Sequence, residues 1–332
     1  MPEPPTLSVI IPTYNRYKSL LRTLSSLNAQ TYPPHAFELI IIDDGGNDGT
    51  ERVAHESFAF PLRYARQDNS GDAAARNRGA QMSRTEFLLF LDDDITLDAF
   101  CLAKLVSALA ARPHAIVTGN LLTVPSPSAA PSPFHNLLPR IFPAAASASQ
   151  EISFLGCVSG FLAVRRADYF QIGMMQSPGR QVHGGQPPVG ADAWCDVDFA
   201  YRAWRQGFTF YRCHEAIAYH HDHAVSSFAA FCRQQEKAGH AGALLLRQYP
   251  DLRGLIPMLA DKDPVFWKQD PPRLVLHKLF HQITSHNWVV AVMVRLITLL
   301  EQTRAFPSLL LLFYRWVISA HIFRGYRQGV LA

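Results

Sequence analysis

Phe87-Leu88-Leu89-Phe90-Leu91-Asp92-Asp93-Asp94 sets five apolar residues against three consecutive carboxylates. An unbroken apolar run of that length reads as a strand buried on both faces, as in parallel sheets covered by helices. The carboxylates repel one another unless a cation or ligand donors compensate them; a solvated helix start is the plain alternative. Phe37-Glu38-Leu39-Ile40-Ile41-Ile42-Asp43-Asp44-Gly45-Gly46 repeats the device. Its glycines let a ligand approach the backbone, although an Asp there can equally start a turn or cap a helix.

Around these two runs, residues 7–124 alternate short and long segments. Leu7–Ile11, Phe37–Ile42, Phe87–Leu91 and Ala115–Thr118 read as strands, and Ser19–Asn28, Thr50–Phe58, Ala73–Met82 and Ala99–Ala111 as helices. The alternation predicts an α/β fold with a mostly parallel central sheet flanked by helices. Ligands of such sheets bind at the carboxyl ends of the strands, where both acidic runs converge. Hard oxygen donors select Mg²⁺ or Mn²⁺ over zinc, and these ions commonly bridge to a diphosphate. Between the runs, Gly71-Asp72-Ala73-Ala74-Ala75-Arg76-Asn77-Arg78-Gly79 opens a helix near the same edge. Arg76 there either neutralises a phosphate or is an ordinary exposed helix arginine.

The chain changes character after 124. Six prolines between Pro125 and Pro143 mark a loop or linker, and Ser177–Gly190, rich in Pro and Gly, reads as a second loop. Order resumes at Phe154–Val164, where Gly156-Cys157-Val158-Ser159-Gly160 permits close backbone approach. A helix is expected over Asp196–Gln206, a strand over Phe208–Tyr211, and a helix over 226–249. Tyr219-His220-His221-Asp222-His223 places three histidines in four positions, either a metal ligand set or a surface cluster. The organisation predicted is a catalytic domain over 1–250 (donor half 6–124, Pro-rich insertion 125–150, acceptor half 151–250) and a helical C-terminal region over 251–332.

Four motifs in order carry a family resemblance: Ser8-Val9-Ile10-Ile11-Pro12-Thr13-Tyr14-Asn15-Arg16, Ile42-Asp43-Asp44-Gly45, Ala75-Arg76-Asn77-Arg78-Gly79 and Phe90-Leu91-Asp92-Asp93-Asp94. The pattern resembles inverting family 2 glycosyltransferases of the GT-A fold. The resemblance implies a nucleotide-sugar donor, a UDP-sugar first among them, bound by Pro12, Tyr14, Asp44, Arg76, Asp92 and Asp93. It implies Asp94 as the ligand of Mn²⁺ or Mg²⁺ at the diphosphate, with a histidine near it that is His221 or His223, His221 being the one assigned. Trp194-Cys195-Asp196-Val197-Asp198 resembles the family's acidic motif, which makes Asp196 the general base for the acceptor hydroxyl, with Asp192 a rival and a helix cap the plain alternative. Cys195 stands where the family usually has Glu. That departure keeps open a second reading, a non-catalytic GT-A-like module that binds a nucleotide or a partner. A dinucleotide oxidoreductase is disfavoured because Pro12-Thr13-Tyr14-Asn15, not G-x-G-x-x-G, follows the first strand.

Composition bounds the rest. The 332 residues are 48% apolar and 17% charged, which excludes a disordered chain. Five cysteines without a C-x-x-C pair argue against a zinc knuckle and a secreted disulfide framework. The N-terminal run lacks the pattern of a signal peptide, so the expected setting is cytoplasmic. Residues 285–332 hold five Arg and one acid, which is the whole formal charge of +4; the first 284 residues balance. A diffuse nucleic-acid surface is therefore not expected. The apolar stretches Trp288–Leu300 and Phe306–Ala320, each interrupted by an arginine, read either as helices packed on the main domain or, the expectation carried forward, as peripheral contact with the inner face of a membrane, beside a glycan or lipid-linked acceptor.

Overall fold

The computed structural model describes residues 7–124, 134, 137, 150–178, 193–221, 227–303 and 306–331. The expected Asp192 and His223, most of the Pro-rich insertion and most of the loop at 177–190 lie outside these residues. Contact density divides the chain into two units. One comprises 1–126, 147–177 and 195–222; the other comprises 127–146, 178–194 and 223–332.

The first unit holds an eight-stranded sheet: β1 (Leu7–Thr13), β2 (Phe37–Asp43), β3 (Leu62–Arg66), β4 (Phe87–Leu91), β5 (Ile95–Leu97), β6 (Ala115–Val124), β7 (Phe161–Arg165) and β8 (Thr209–His221). Their order is β3-β2-β1-β4-β7-β6-β8-β5. Pairings β1–β2, β1–β4, β2–β3 and β6–β8 are parallel; β7 runs antiparallel to β4 and β6, and β5 antiparallel to β8. The apolar runs form strands because both faces are covered: β1 and β4 are buried along their whole lengths. Its helices are α1 (Tyr17–Asn28), α2 (Asp72–Met82), α3 (Cys101–Ala110), α4 (Arg166–Ile172) and α5 (Cys195–Arg205). Helix α1 turns Leu20, Leu24 and Leu27 into the core beside Val9, Ile11 and Leu39. The stretch expected as a helix from Thr50 is a six-residue 3₁₀ segment, Thr50–His55, which buries only Thr50 and Val53. Two buried positions three apart suit a three-residue turn.

The second unit contains α6 (Phe228–Gln248), the short α7 (Pro257–Ala260), α8 (Pro272–Thr284), α9 (Asn287–Thr303) and α10 (Pro307–Leu331). Ser227 caps α6 by accepting from the Ala230 N–H. Helices α6 and α10 pack backbone to backbone. A Cβ on Gly325 would fall 1.7 Å from the Glu236 carbonyl oxygen, and one on Gly239 2.2 Å from that of Ile322. Only glycine permits such proximity. Phe134, Phe228, Phe231 and Tyr314 form an aromatic cluster at one end of this pair.

Candidate active site

Three strands and one helix deliver the site. The ends of β1, β2 and β4 and the start of α2 enclose a cleft of about 410 Å³ lined by Pro12, Tyr14, Arg16, Asp44, Asp92 and Asp93 among others. Parallel neighbours ending in register bring these groups together: Thr13 pairs with Asp43, while β1 and β4 run side by side from Leu7 opposite Phe87. The acidic ends therefore converge as the sequence indicated, and each carboxylate has its own environment.

Asp44 is buried and already accepts from Gln67 Nε2 at 2.7 Å, from the Ser70 N–H at 2.9 Å and from the Gly71 N–H at 2.9 Å. A carboxylate has about four acceptor positions, so this residue shapes the 67–71 loop and retains capacity for one ligand donor. Asp43, which was not singled out, ties the Gly46 N–H and the Tyr64 hydroxyl, each at 2.7 Å.

Arg76 is no exposed helix arginine; it is 1% exposed and forks between Asp72 and Asp92. Asp92 in turn lies against Gly160, whose added Cβ would come within 2.1 Å of Asp92 Oδ2. The close approach expected of the 156–160 stretch is made here, by a carboxylate.

Asp93 accepts from the Thr13 hydroxyl at 2.7 Å and faces Arg16 Nε at 3.2 Å. Burial pushes its carboxyl up to about 7, against the opposing pull of Arg16 and Thr13. Asp94 Oδ2 accepts from Arg16. Burial opposes the ionisation of Asp94 too, yet His220 and Arg16 outweigh it and hold the group below the usual carboxylate range. Asp94 Oδ1 is buried and accepts no hydrogen bond among the described residues; His220 Nε2 lies 3.4 Å away. A cluster of three carboxylates with one such atom, faced among the described residues by Arg16, Arg76 and His220, fits a divalent cation.

The histidine expected beside Asp94 was His221; its backbone N–H donates to the Asp94 carbonyl at 2.9 Å, but the imidazole that faces the Asp94 carboxylate is that of His220. His221 Nε2 is 2.8 Å from Thr96 Oγ1, while His220 turns to Asp94. Successive side chains on β8 point to opposite faces, and the antiparallel pairing of His220 with Ile95 decides which one meets the carboxylate.

Asp196 sits in the first turn of α5, where its Oδ1 accepts the Val197 N–H at 2.8 Å. Burial raises its carboxyl pKa, offset in part by the backbone N–H of Val197 and the charge of Arg76. A carboxyl raised above the ordinary Asp range is chemically suited to proton abstraction near neutral pH. Cys195 beside it is buried. Thr13 and Arg16 went unassigned in sequence, although Arg16 stands inside the first motif quoted.

The family model for glycosyl transferase family 2 matches residues 8–173, half of the chain. The chain belongs to glycosyl transferase family 2. Among curated relatives of this family, glycosyltransferase AglE of Haloferax volcanii is 35% identical over 120 residues, 35% of this chain and 40% of that protein. A validoxylamine A glucosyltransferase of Streptomyces hygroscopicus subsp. limoneus is 42% identical over 94 residues, 27% and 21% of the two chains. Poly(ribitol-phosphate) beta-N-acetylglucosaminyltransferase TarP of Staphylococcus aureus is 42% identical over 91 residues, 26% and 28%. The match thus spans well under half the length of these relatives. The mannosyltransferase PcManGT from Pyrobaculum calidifontis, solved in complex with GDP-Man and Mn²⁺, superposes with a TM-score of 0.59 at 17% identity, covering 98% of this chain and 89% of that one. The fold of this family 2 member is GT-A.

Proposed function

We propose that the chain transfers a sugar, with inversion, from a nucleoside-diphosphate donor to a hydroxyl acceptor on a glycan or lipid-linked carrier. The observation that carries this reading is the convergence of Asp44, Asp92 and Asp93 on one cleft, with Arg76 bonded to Asp92, Asp94 held by the same Arg16 that faces Asp93, and the half-buried carboxyl of Asp196 in the field of Arg76. Pro12 and Tyr14 line the donor side, and the outward capacity of Asp44 and Asp92 suits the hydroxyl and N–H donors of a nucleoside.

Asp94, with His220 next to it, would hold a divalent ion, Mn²⁺ or Mg²⁺. Such an ion supplies charge neutralisation at the diphosphate. Asp196 takes the proton of the acceptor hydroxyl as that oxygen bonds to the anomeric carbon. The bond from that carbon to the diphosphate breaks on the opposite face, and the electron pair leaves with the nucleotide. Arg76, locked between Asp72 and Asp92, keeps the Asp92 carboxylate in place and holds positive charge near the departing diphosphate.

A thermal-shift screen of nucleoside diphosphates, each with and without Mn²⁺, tests the donor side. UDP is the first candidate and GDP the second. One nucleotide should raise the melting temperature selectively, and more with metal. Asp94→Ala should remove the metal-dependent part. Indifference to every nucleotide, or an unchanged metal effect in Asp94→Ala, would sink the assignment.

A further inference from the structure

Helix α8 is inside out. Lys278, His281 and Thr284, spaced by three, are its buried residues. Leu276, Phe280 and Ile283 form its outer stripe, at 68%, 49% and 65% exposed. The inner polar groups have defined partners: Lys278 donates to Asp270 at 2.7 Å and to the Pro264 carbonyl at 3.0 Å, His281 meets Asp261 at 2.8 Å, and the Thr284 hydroxyl donates to the Phe280 carbonyl. The polar seam is a built contact, so the apolar stripe is meant to face outward.

Helix α9 departs from water-soluble patterning in another way. It buries Val290, Met293 and Ile297, one stripe, while Trp288, Val292, Val294, Leu296 and Leu299 remain exposed. A helix apolar on its packed face and its open face needs cover on both. Trp267, Phe306 and Leu312 extend the same exposed character to either side. Soluble monomers seldom leave apolar patches beyond a few hundred Å² uncovered.

Charge identifies the cover. Among the described residues from 264 to 316, the exposed charged side chains Lys268, Arg273, Arg295 and Arg315 are all cationic. The two acids of this stretch, Asp270 and Glu301, bond to Lys278 and Tyr314. A second copy docked face to face would oppose like charges across the two-fold axis. An anionic lipid surface complements them, and Trp and Arg side chains suit its headgroup zone.

We infer that α8, α9 and the first turns of α10 lie in the plane of one leaflet of an anionic bilayer, as an anchor that does not span it. Helices of 13 and 17 residues are about 20 and 25 Å long, short of the roughly 30 Å hydrocarbon core. No single helix among the described residues is long and apolar enough to cross a membrane; α8 and α9 meet that test only together, across a bend of 87°, and the buried polar seam of α8 favours a position in the plane. The anchor therefore begins before the stretch at 285 that composition singled out. It excludes the distal part of α10, where Val317, Ile322, Phe323 and Tyr326 are buried. This inference stands apart from the reading of the cleft.

Flotation of the full chain with phosphatidylcholine vesicles, with and without phosphatidylglycerol, tests it. The wild type should float with the anionic vesicles. The triple variant Leu276→Ser, Phe280→Ser, Ile283→Ser should float about tenfold less or worse, since each inserted side chain contributes strongly to transfer. It should keep its melting temperature in lipid-free buffer, because the changed groups are exposed. The double variant Arg273→Glu, Arg295→Glu should lose the preference for anionic lipid. Wild-type protein that stays with the soluble fraction on both vesicles, or a triple variant that floats equally well, would overturn the anchor. So would a lipid-free dimer that the triple variant abolishes, since the face would then belong to a second copy.

Discussion

At the residue scale, the groups of the site divide by how far apart in sequence their partners lie. The carboxylates at 92–94 were legible because an apolar strand that stops at three acids has few other uses. Asp196 was assigned as the base only through the family motif, since an Asp at a helix start is common. Thr13 and Arg16 were not assigned because their bonds to Asp93 and Asp94 cross about 80 positions and need the sheet to form first. The choice of His220 over His221 likewise waits on the β5–β8 register. The proposed base, Asp196, makes a sharp prediction. Asp196→Asn should leave nucleotide binding intact and lower transfer by about 10²–10⁴, as loss of a general base does. In the wild type, turnover should fall with decreasing pH as Asp196 takes up a proton, and burial sets that limb above the ordinary Asp value. A pH–rate profile and titration calorimetry check both. A limb at the normal aspartate position, or near-wild-type turnover in the Asn variant, would move the base elsewhere.

At the element scale, the continuous apolar strands and three of the four expected helices of the first half appear close to where periodicity put them. Strands β3 and β5 did not stand out: β3 is only half-buried, and β5 has three residues. Helix α8 was not singled out within the helical region expected over 251–332, for another reason. Reading an apolar stripe as the inward one is a rule for chains surrounded by water, and α8 reverses it. The close contact between α6 and α10 did leave a signal, Gly325-Tyr326-Arg327-Gln328-Gly329, a pair of glycines one turn apart. Gly325→Ala tests that contact. In an open helix this change gains up to about 1 kcal/mol. Here the new methyl meets the Glu236 carbonyl, so the helices must part, and a loss of about 1–3 kcal/mol is expected. A higher melting temperature in the Ala variant would show the packing to be loose.

At the scale of the whole molecule, one of the two units carries a well-defined acid-sensitive contact. In the second, Asp261 lies between Lys262 and His281. Burial works against its charge, but His281 and Lys262 prevail and bring its pKa to about 2. Because the folded value is below the unfolded one of about 4, the group stabilises the fold above pH 4, and that contribution fades as pH falls from about 4 to 2. Asp261→Asn should therefore lower the stability of the second unit at neutral pH and flatten its dependence across that window. Urea unfolding followed by hydrogen exchange of α8 and α10 measures it; equal acid sensitivity in variant and wild type would refute the coupling. The order of the sheet has another consequence, for synthesis. Asp94 leaves the ribosome 126 residues ahead of the imidazole at position 220 that faces it. At about 5–20 residues per second that interval is roughly 6–25 s. Throughout it, the nascent chain carries a run of three acids whose closing strand does not yet exist, and in that interval cytosolic Mg²⁺ or a chaperone has first access to them.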